Sequence, residues 1–520
     1  MEFFTRKRIE RLIEKMNTLK RSSVNMLSSA MGYILPMLVN LITTPLLLKA
    51  LGQTAYGLQS LVAVIIGYLA FMDMGLDLPI TKFLAEDRAH KDKLAENHLL
   101  STTLQLYLYI GLGGMISIIL LSNWLAQSVF KIPPDLVAQA VLVFRIAGIG
   151  FLGSVGMSWG RALAMGIQRF DITYSVSIVI STAGTLLGLG VVYAGYGVVG
   201  YVLTRMVITT LAGPAYFLLT RHLLPEFQFL RGINSSTLKR VSGYLGFGTF
   251  NRIISSLVSR LDQTLIGIWV GVAAAGIYAV PFLVVNSFGY MLAYMLGFIF
   301  PMASELQSLN QMDRLRDIFF RASQFIAALS GIIFIPLFIL GDSFFKLWTP
   351  SIALQVSDVF RLLCVAGYVG SLTATLPNSI MIGIGKIREY TIYLTIRSIV
   401  LSISCIVFIH SLGLIGAGWA LLITCIVDII WLIIVLIRYL QITSIGYFLR
   451  KAYLKPLILT IGIAIITFLL SSFTVTWLWL ILVSIVIVLL FVLFGFIIGV
   501  FGDTEKRALK EIVLVFKKQS

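Results

Sequence analysis

The chain is a succession of apolar blocks, each of about 20 residues or more and so long enough to cross a hydrocarbon core as a helix. In lipid, backbone N–H and C=O groups must be satisfied inside the segment, so blocks of this kind are helices and not open strands. Fourteen can be read, at 23–47, 57–80, 98–123, 136–159, 173–193, 197–220, 244–270, 274–300, 322–345, 353–383, 390–410, 413–437, 455–473 and 475–501. Composition agrees. The chain is 58% hydrophobic and 12% charged with mean hydropathy +0.95, whereas soluble domains are about half apolar and about a quarter charged. The expected fold class is an all-α polytopic membrane protein. The charged N-terminus lacks a short apolar core followed by a small-residue cleavage site, so no signal peptide is expected.

An internal repeat organises these blocks. Thr18-Leu19-Lys20-Arg21, with Ser23, recurs as Thr237-Leu238-Lys239-Arg240, with Ser242. The same interval carries Gly52 onto Gly271, Ala55 onto Ala274, Gly57 onto Gly276, Glu86 onto Glu305 and Arg169 onto Arg388. One residue shorter, it carries Gly195, Gly200 and Tyr201 onto Gly413, Gly418 and Trp419. The expected organisation is a basic N-terminus (1–22), a first lobe of six helices (23–220), a linker (221–243), a second lobe (244–437), an appended helix pair (453–501) and a tail (502–520). Six is even, so both lobes would enter the membrane in the same sense, as a parallel repeat of the kind transporters use.

The net charge of +17 raises nucleic acid as a partner, but its distribution argues against it. Arg6, Lys7, Arg8, Arg11, Lys15, Lys20 and Arg21 precede the first helix, and most other Lys and Arg fall in alternate loops or the tail. Only Lys49, Lys131 and Lys346 fall in the opposite loops. This positive-inside bias places both termini in the cytoplasm of a multi-pass protein of the cytoplasmic membrane. Loops on the outer side are short, and no glycine-rich phosphate loop is present, so neither an outer catalytic domain nor ATP hydrolysis is expected. Cys364, Cys405 and Cys425 lie inside helices at spacings that fit neither zinc nor disulfides. No metal or cofactor is implied.

What remains inside the spans is informative. The basic residues there are all arginine: Arg145, Arg205, Arg252, Arg260, Arg361 and Arg397. A charge at mid-bilayer costs at least about 2.5–3.5 kcal/mol, so these should face a bundle interior or a water-filled cavity. Guanidinium stays charged and its forked donors fit phosphate, so a cationic cavity suits an anionic cargo such as a phosphate or pyrophosphate. Asn251, Arg252, Ser255, Ser256, Ser259, Arg260 and Gln263 recur at three- and four-residue steps, a polar stripe on the seventh helix. The first helix carries a milder one with Asn25 and Asn40. Asp73, Asp262, Asp358 and Asp428 are the acids at similar depth, either for a coupling ion (H+ or Na+) or as ion-pair partners. Arg260 with Asp262, and Arg361 with Asp358, read equally well as structural salt bridges, and Arg205 and Arg397 as side chains reaching for a water interface.

Leu51-Gly-Gln-Thr-Ala-Tyr-Gly-Leu58 followed by Met72-Asp-Met-Gly75 resembles the opening of Wzx-type polysaccharide flippases. Gly166-Ile-Gln-Arg-Phe-Asp171 is similar to a cytoplasmic loop of those proteins, and Arg260-Leu-Asp-Gln263 with Gly271-x4-Gly276-Ile-Tyr278 to the start of their second half. These belong to the multidrug/oligosaccharidyl-lipid/polysaccharide exporter superfamily, and the resemblance covers about 18–437. It implies two six-helix lobes around a central cavity and alternating access. It also implies a cargo of undecaprenyl-pyrophosphate-linked sugar units for surface polysaccharide (O-antigen) export, moved in contact with membrane lipids and alongside polysaccharide polymerase or assembly proteins.

The expected function is therefore a lipid-linked oligosaccharide flippase and not an enzyme. The alternatives are a cation-coupled multidrug exporter, which should show an acidic lumen, and a peptidoglycan-precursor (lipid II) flippase. Cysteines placed at Gly52 and Gly271 are expected to react with an impermeant maleimide from the same face of the membrane. Labelling from opposite faces would refute the parallel repeat.

Overall fold

In a computed structural model, the backbone of residues 2–500 is described apart from 70, 71, 73, 74, 225 and 474, and side chains from residue 34 onward except 247. The side chain of Asn25, Asp73 and the tail beyond residue 500 lie outside the described residues. The elements are α1 (Glu2–Leu69), α2 (Asp77–Ala89), α3 (Lys93–Trp124), α4 (Pro134–Gly166), α5 (Phe170–Val191), α6 (Gly197–Arg221), α7 (Ser235–Tyr244), α8 (Phe247–Val258), α9 (Leu261–Trp269), α10 (Val272–Met295), α11 (Ile299–Ser308), α12 (Met312–Trp348), α13 (Ala353–Gly370), α14 (Leu376–Gly383), α15 (Ile387–Leu412), α16 (Leu414–Ile434), α17 (Ile445–Phe448), α18 (Leu454–Ser471) and α19 (Trp477–Ile497). No strand occurs among the described residues.

The described residues contain 11 helical stretches long and apolar enough to span a membrane. Two of them each cover two expected spans. Ile34–Leu69 has 36 residues and Phe170–Arg221 has 52, or roughly 54 and 78 Å at about 1.5 Å per residue. Each contains a break, at Gly52 (φ 77) and at Gly195 and Gly197 (φ 93 and 57), so each accounts for two expected spans. The expected span 244–270 is not among the 11 because it is interrupted between α8 and α9, at Ser259 and Arg260. The all-α polytopic fold thus follows the apolar blocks.

The chain divides into two compact units. The first runs to Arg260 and includes 271–273; the second comprises 261–270 and the residues from 274 onward. In the first unit α4 packs on α3 and α6, and α5 on α6 and α1. Close approach of α4 and α6 depends on glycine. A Cβ on Gly153 would stand 2.2 Å from Thr210 Oγ1 and 2.6 Å from Thr210 Cα, and one on Gly160 would stand 2.6 Å from Tyr216 Cβ. Small residues let membrane helices approach closely, which replaces the hydrophobic drive that lipid removes. At the start of α5, Arg169 Nε and Nη2 donate to Asp171 Oδ1 and Oδ2 at 2.8 and 2.7 Å.

In the second unit α12 packs on α13 and α18, α16 on α13 and α15, and α19 on α18. Its core holds Phe319 stacked on Phe448 and Tyr393 stacked on Trp431, the latter with centroids 4.6 Å apart. Cys364, Cys405 and Cys425 are buried free thiols. A run of π-helix at Ser371–Thr375 precedes Pro377, so the expected tenth span is irregular where the proline stands.

Gly153→Val is expected to destabilise the protein by about 1–3 kcal/mol through overpacking. Gly156→Val, whose added Cβ meets nothing within 4 Å, should be nearly neutral. Melting temperatures in detergent compare the two.

Candidate functional site

The arginines expected inside the spans separate by what neutralises them. Arg397 on α15 donates from Nε to Asp428 Oδ1 on α16 at 2.8 Å, and the Tyr393 hydroxyl donates to the same oxygen at 2.7 Å. Asp428 is 0% exposed, and its Oδ2 has no hydrogen-bond partner. The Tyr393 ring stacks on Trp431, whose Nε1 donates to Asn378 Oδ1 at 3.0 Å. Arg361 on α13 reaches Asp342 on α12 at 2.6 Å and Asp358 only at 3.8 Å. Its nearer partner is therefore on a neighbouring helix, and Asp358 is secondary. Arg252 on α8 bonds Asp77 at the start of α2, and Arg161 on α4 stands 4.0 Å from the same carboxylate.

The remaining arginines are placed differently. Arg145 is exposed and donates from Nε to Ser122 Oγ at 3.3 Å. Arg205 on α6 is half-buried. Its Nη1 donates to the Tyr201 hydroxyl at 3.3 Å, and its guanidinium lies 5.8 Å from that ring's centre. Among the described residues neither Arg145 nor Arg205 meets a carboxylate. Arg260 falls in the break between α8 and α9, with its Cγ 3.8 Å from where a Cβ on Gly67 would be.

Arg205 faces open space. A cavity of about 360 Å³ lies inside the first unit, and Gln59, Ser154, Ser158, Tyr201, Arg205 and Thr209 supply its polar groups. The rest of its wall is apolar, with Ile66, Gly67, Phe151 and Met206 contributing. A guanidinium that meets no carboxylate among the described residues, on a wall that mixes hydroxyls and an amide with apolar side chains, favours an anion, because the low local dielectric strengthens the attraction.

The polar stripe on the seventh span is partly realised. Among the described residues, Asn251 Oδ1 and Gln263 Nε2 are buried without hydrogen-bond partners, and buried polar groups of this kind call for a water or a ligand. Ser259 Oγ donates to the Ser256 carbonyl at 3.1 Å. Asp262 accepts from the Tyr278 hydroxyl at 2.5 Å. Asn40 Oδ1 accepts from Thr185 Oγ1 at 3.4 Å. Sequence reading missed Asp77, Arg161 and Asp342. Asp77 and Asp342 fall near the ends of apolar blocks, where a charge is cheap and draws no notice. Their pairing with Arg252 and Arg361 across helices leaves no trace in spacing.

Apolar spans and ion pairs closed between helices define a multi-pass membrane protein. A family model described as "Polysaccharide biosynthesis protein" matches residues 46–349, more than half of the chain, and the chain belongs to that family. A Shigella flexneri protein that carries the provisional name O-antigen transporter is 21% identical over 401 residues, covering 74% of this chain and 91% of its own. The "Uncharacterized membrane protein EpsK" of Bacillus subtilis is 22% identical over 265 residues, 49% of this chain and 51% of its own. Among solved structures, the lipid II flippase MurJ in an inward closed conformation matches with TM-score 0.71 at 13% identity, covering 91% of this chain and 98% of that one. An inward-facing multidrug resistance transporter of the MATE family and MOP superfamily matches with TM-score 0.64 at 17% identity, covering 80% and 96%. The fold is that of this exporter superfamily.

Arg397→Ala should cost about 3–5 kcal/mol by leaving the buried Asp428 carboxylate unpaired. Adding Asp428→Asn should recover most of that loss, as thermal melting of the single and double variants will show.

Proposed function

We propose that the chain is a flippase for polyprenyl-pyrophosphate-linked oligosaccharide units. It would move them across the cytoplasmic membrane by alternating access, for surface polysaccharide export, and without covalent chemistry on the cargo. The observation that carries this reading is Arg205, a guanidinium that meets no carboxylate among the described residues, on the wall of a cavity within the spans. A carrier of organic cations would instead be expected to present an acid at such a place. Three further arginines are engaged by Asp77, Asp342 and Asp428, which makes them structural ties before they are ligands. In this reading Arg205 contacts the anionic part of the cargo, the neighbouring hydroxyls and Gln59 contact sugar, and the lipid tail stays in the bilayer. Membership of a polysaccharide biosynthesis family and the name of the Shigella relative favour a saccharide cargo.

The remaining expectations belong to the same proposal: lobes at 23–220 and 244–437, helices at 453–501 appended, both termini cytoplasmic, and H+ or Na+ as coupling ion. Asp73, Asp262, Asp358 and Asp428 are the acids to examine for coupling; Asp428 is bonded to Arg397, Asp358 stands 3.8 Å from Arg361 and Asp262 accepts from Tyr278.

The test is flipping of pyrophosphate-linked oligosaccharide in proteoliposomes. Wild type should flip it, Arg205→Ala should lower the rate by at least about tenfold with its melting temperature unchanged, and Arg205→Lys should retain part of the rate; tenfold corresponds to about 1.4 kcal/mol. Extrusion of a cationic dye without flipping would move the chain to the drug-exporter branch.

A further inference from the structure

The segment between α6 and α7 lies in an unusual bed. From 226 to 234 it runs without helix or strand along α3, and α3 side chains serve its backbone. Asn97 Nδ2 donates to the Glu226 carbonyl at 3.3 Å, and Asn97 Oδ1 accepts from Gln228 N at 3.1 Å. Ser101 Oγ accepts from Leu230 N at 2.9 Å. Gln105 Nε2 donates to the Leu230 carbonyl at 3.0 Å, and Gln105 Oε1 accepts from Gly232 N at 3.0 Å. Thr102 Oγ1 accepts from Asn234 N at 3.2 Å. Residues 97, 101 and 105 follow each other at four-residue steps, on one face of the helix. Their spacing is about 6 Å per step, close to the advance of two residues in an extended chain, so each rung meets every second residue of the segment.

The grip continues beyond it. Arg240 on α7 bonds Asp87 on α2 at 2.8 and 3.0 Å and lies 4.2 Å over the Phe83 ring, while Lys82 lies 4.4 Å over the Tyr244 ring. Burial holds the Asp87 carboxyl above its ordinary value against the pull of Arg240. Arg252 on α8 then takes Asp77. These contacts hold 226–258 to α2 and α3 through many polar groups. Of the large apolar side chains of the segment, Phe229 and Ile233 are 49% and 39% exposed, while Phe227 and Leu230 are half-buried, Phe227 edge-on to Phe217. Hydrophobic burial of 226–234 is therefore partial, and each hydrogen bond adds only about 0.5–1.5 kcal/mol net. Gly232, at φ 92, supplies a pivot.

We propose that residues 226–234 form a releasable strap: docked on the Asn97–Ser101–Gln105 ladder of α3 it helps to clamp α7 and α8 to α2, and it opens as a local unit during the transport cycle. The proposal rests on the chain being a carrier that cycles between states, and not on the identity of its cargo.

Hydrogen exchange in nanodiscs without cargo tests it. The amides of Gln228, Leu230, Gly232 and Asn234 should exchange together and at least about tenfold faster than the core of α4, as a local opening does. Gln105→Met, and the Asn97→Leu, Gln105→Met pair, should speed exchange at those amides and along α7 while α4 is unchanged, and should alter the flipping rate severalfold. Exchange of the strap only at the rate of α4, or faster exchange in the variants with an unaltered flipping rate, would overturn the strap. If the wild type flips no oligosaccharide, the functional reading fails, and the exchange of the wild-type strap relative to α4 still decides the matter.

Discussion

A guanidinium inside a membrane-length helix must find a carboxylate, water or an anion, and much of this structure is arranged around that demand. Asp428 and Arg397 join α16 to α15, and the Tyr393–Trp431 stack braces the same seam. Asp342 and Arg361 join α12 to α13. Asp77 is shared by Arg252 and Arg161, tying α2 to α8 and α4. Each of these spends the charge on holding helices together. Arg205 is treated differently: among the described residues it meets no carboxylate, bonds the Tyr201 hydroxyl and lines a cavity.

Lipid offers no alternative partner for a freed backbone group, so irregular backbone needs a local remedy. The π-helical turns at Leu125–Val129, Val192–Tyr196, Ser371–Thr375 and Val435–Tyr439 each sit at the end of a long helix or between two helices. The break at Ser259 and Arg260 is another such place. It falls where the two compact units meet in sequence, in a polar stripe with side chains able to serve the interrupted ladder. Outside the spans, the strap shows a related remedy, a stretch whose alternate residues have backbone groups served by the side chains of another helix.

The helices were legible because apolar length is a local property. Gly52 and Gly195, which stand at breaks in overlong helices, were legible as repeat anchors though not as breaks, and Gly197 carried no signal in the repeat. The interruption at Ser259 and Arg260 was not, since neither residue is a helix breaker and the stripe around it reads as one face of a continuous helix. The arginines were found by exclusion from loops, yet nothing in their spacing separates Arg205 from Arg397; that depends on which acid a neighbouring helix brings. Arg361 shows the same limit, since the close neighbour Asp358 in sequence proved secondary to Asp342 across a helix seam. Asn97, Ser101 and Gln105 stand near a helix start, where polar residues ordinarily face water.

The glycine seam between α4 and α6 also has a mechanical meaning. Backbone packed on backbone leaves little void, and volume lost under hydrostatic pressure comes from voids. The cavity beside Arg205 borders the same two helices, through Phe151 and Met206. Compression of the first unit would therefore spare the seam and shrink the cavity, so pressure would act on occupancy of that volume before it acted on the helix pair that forms its wall.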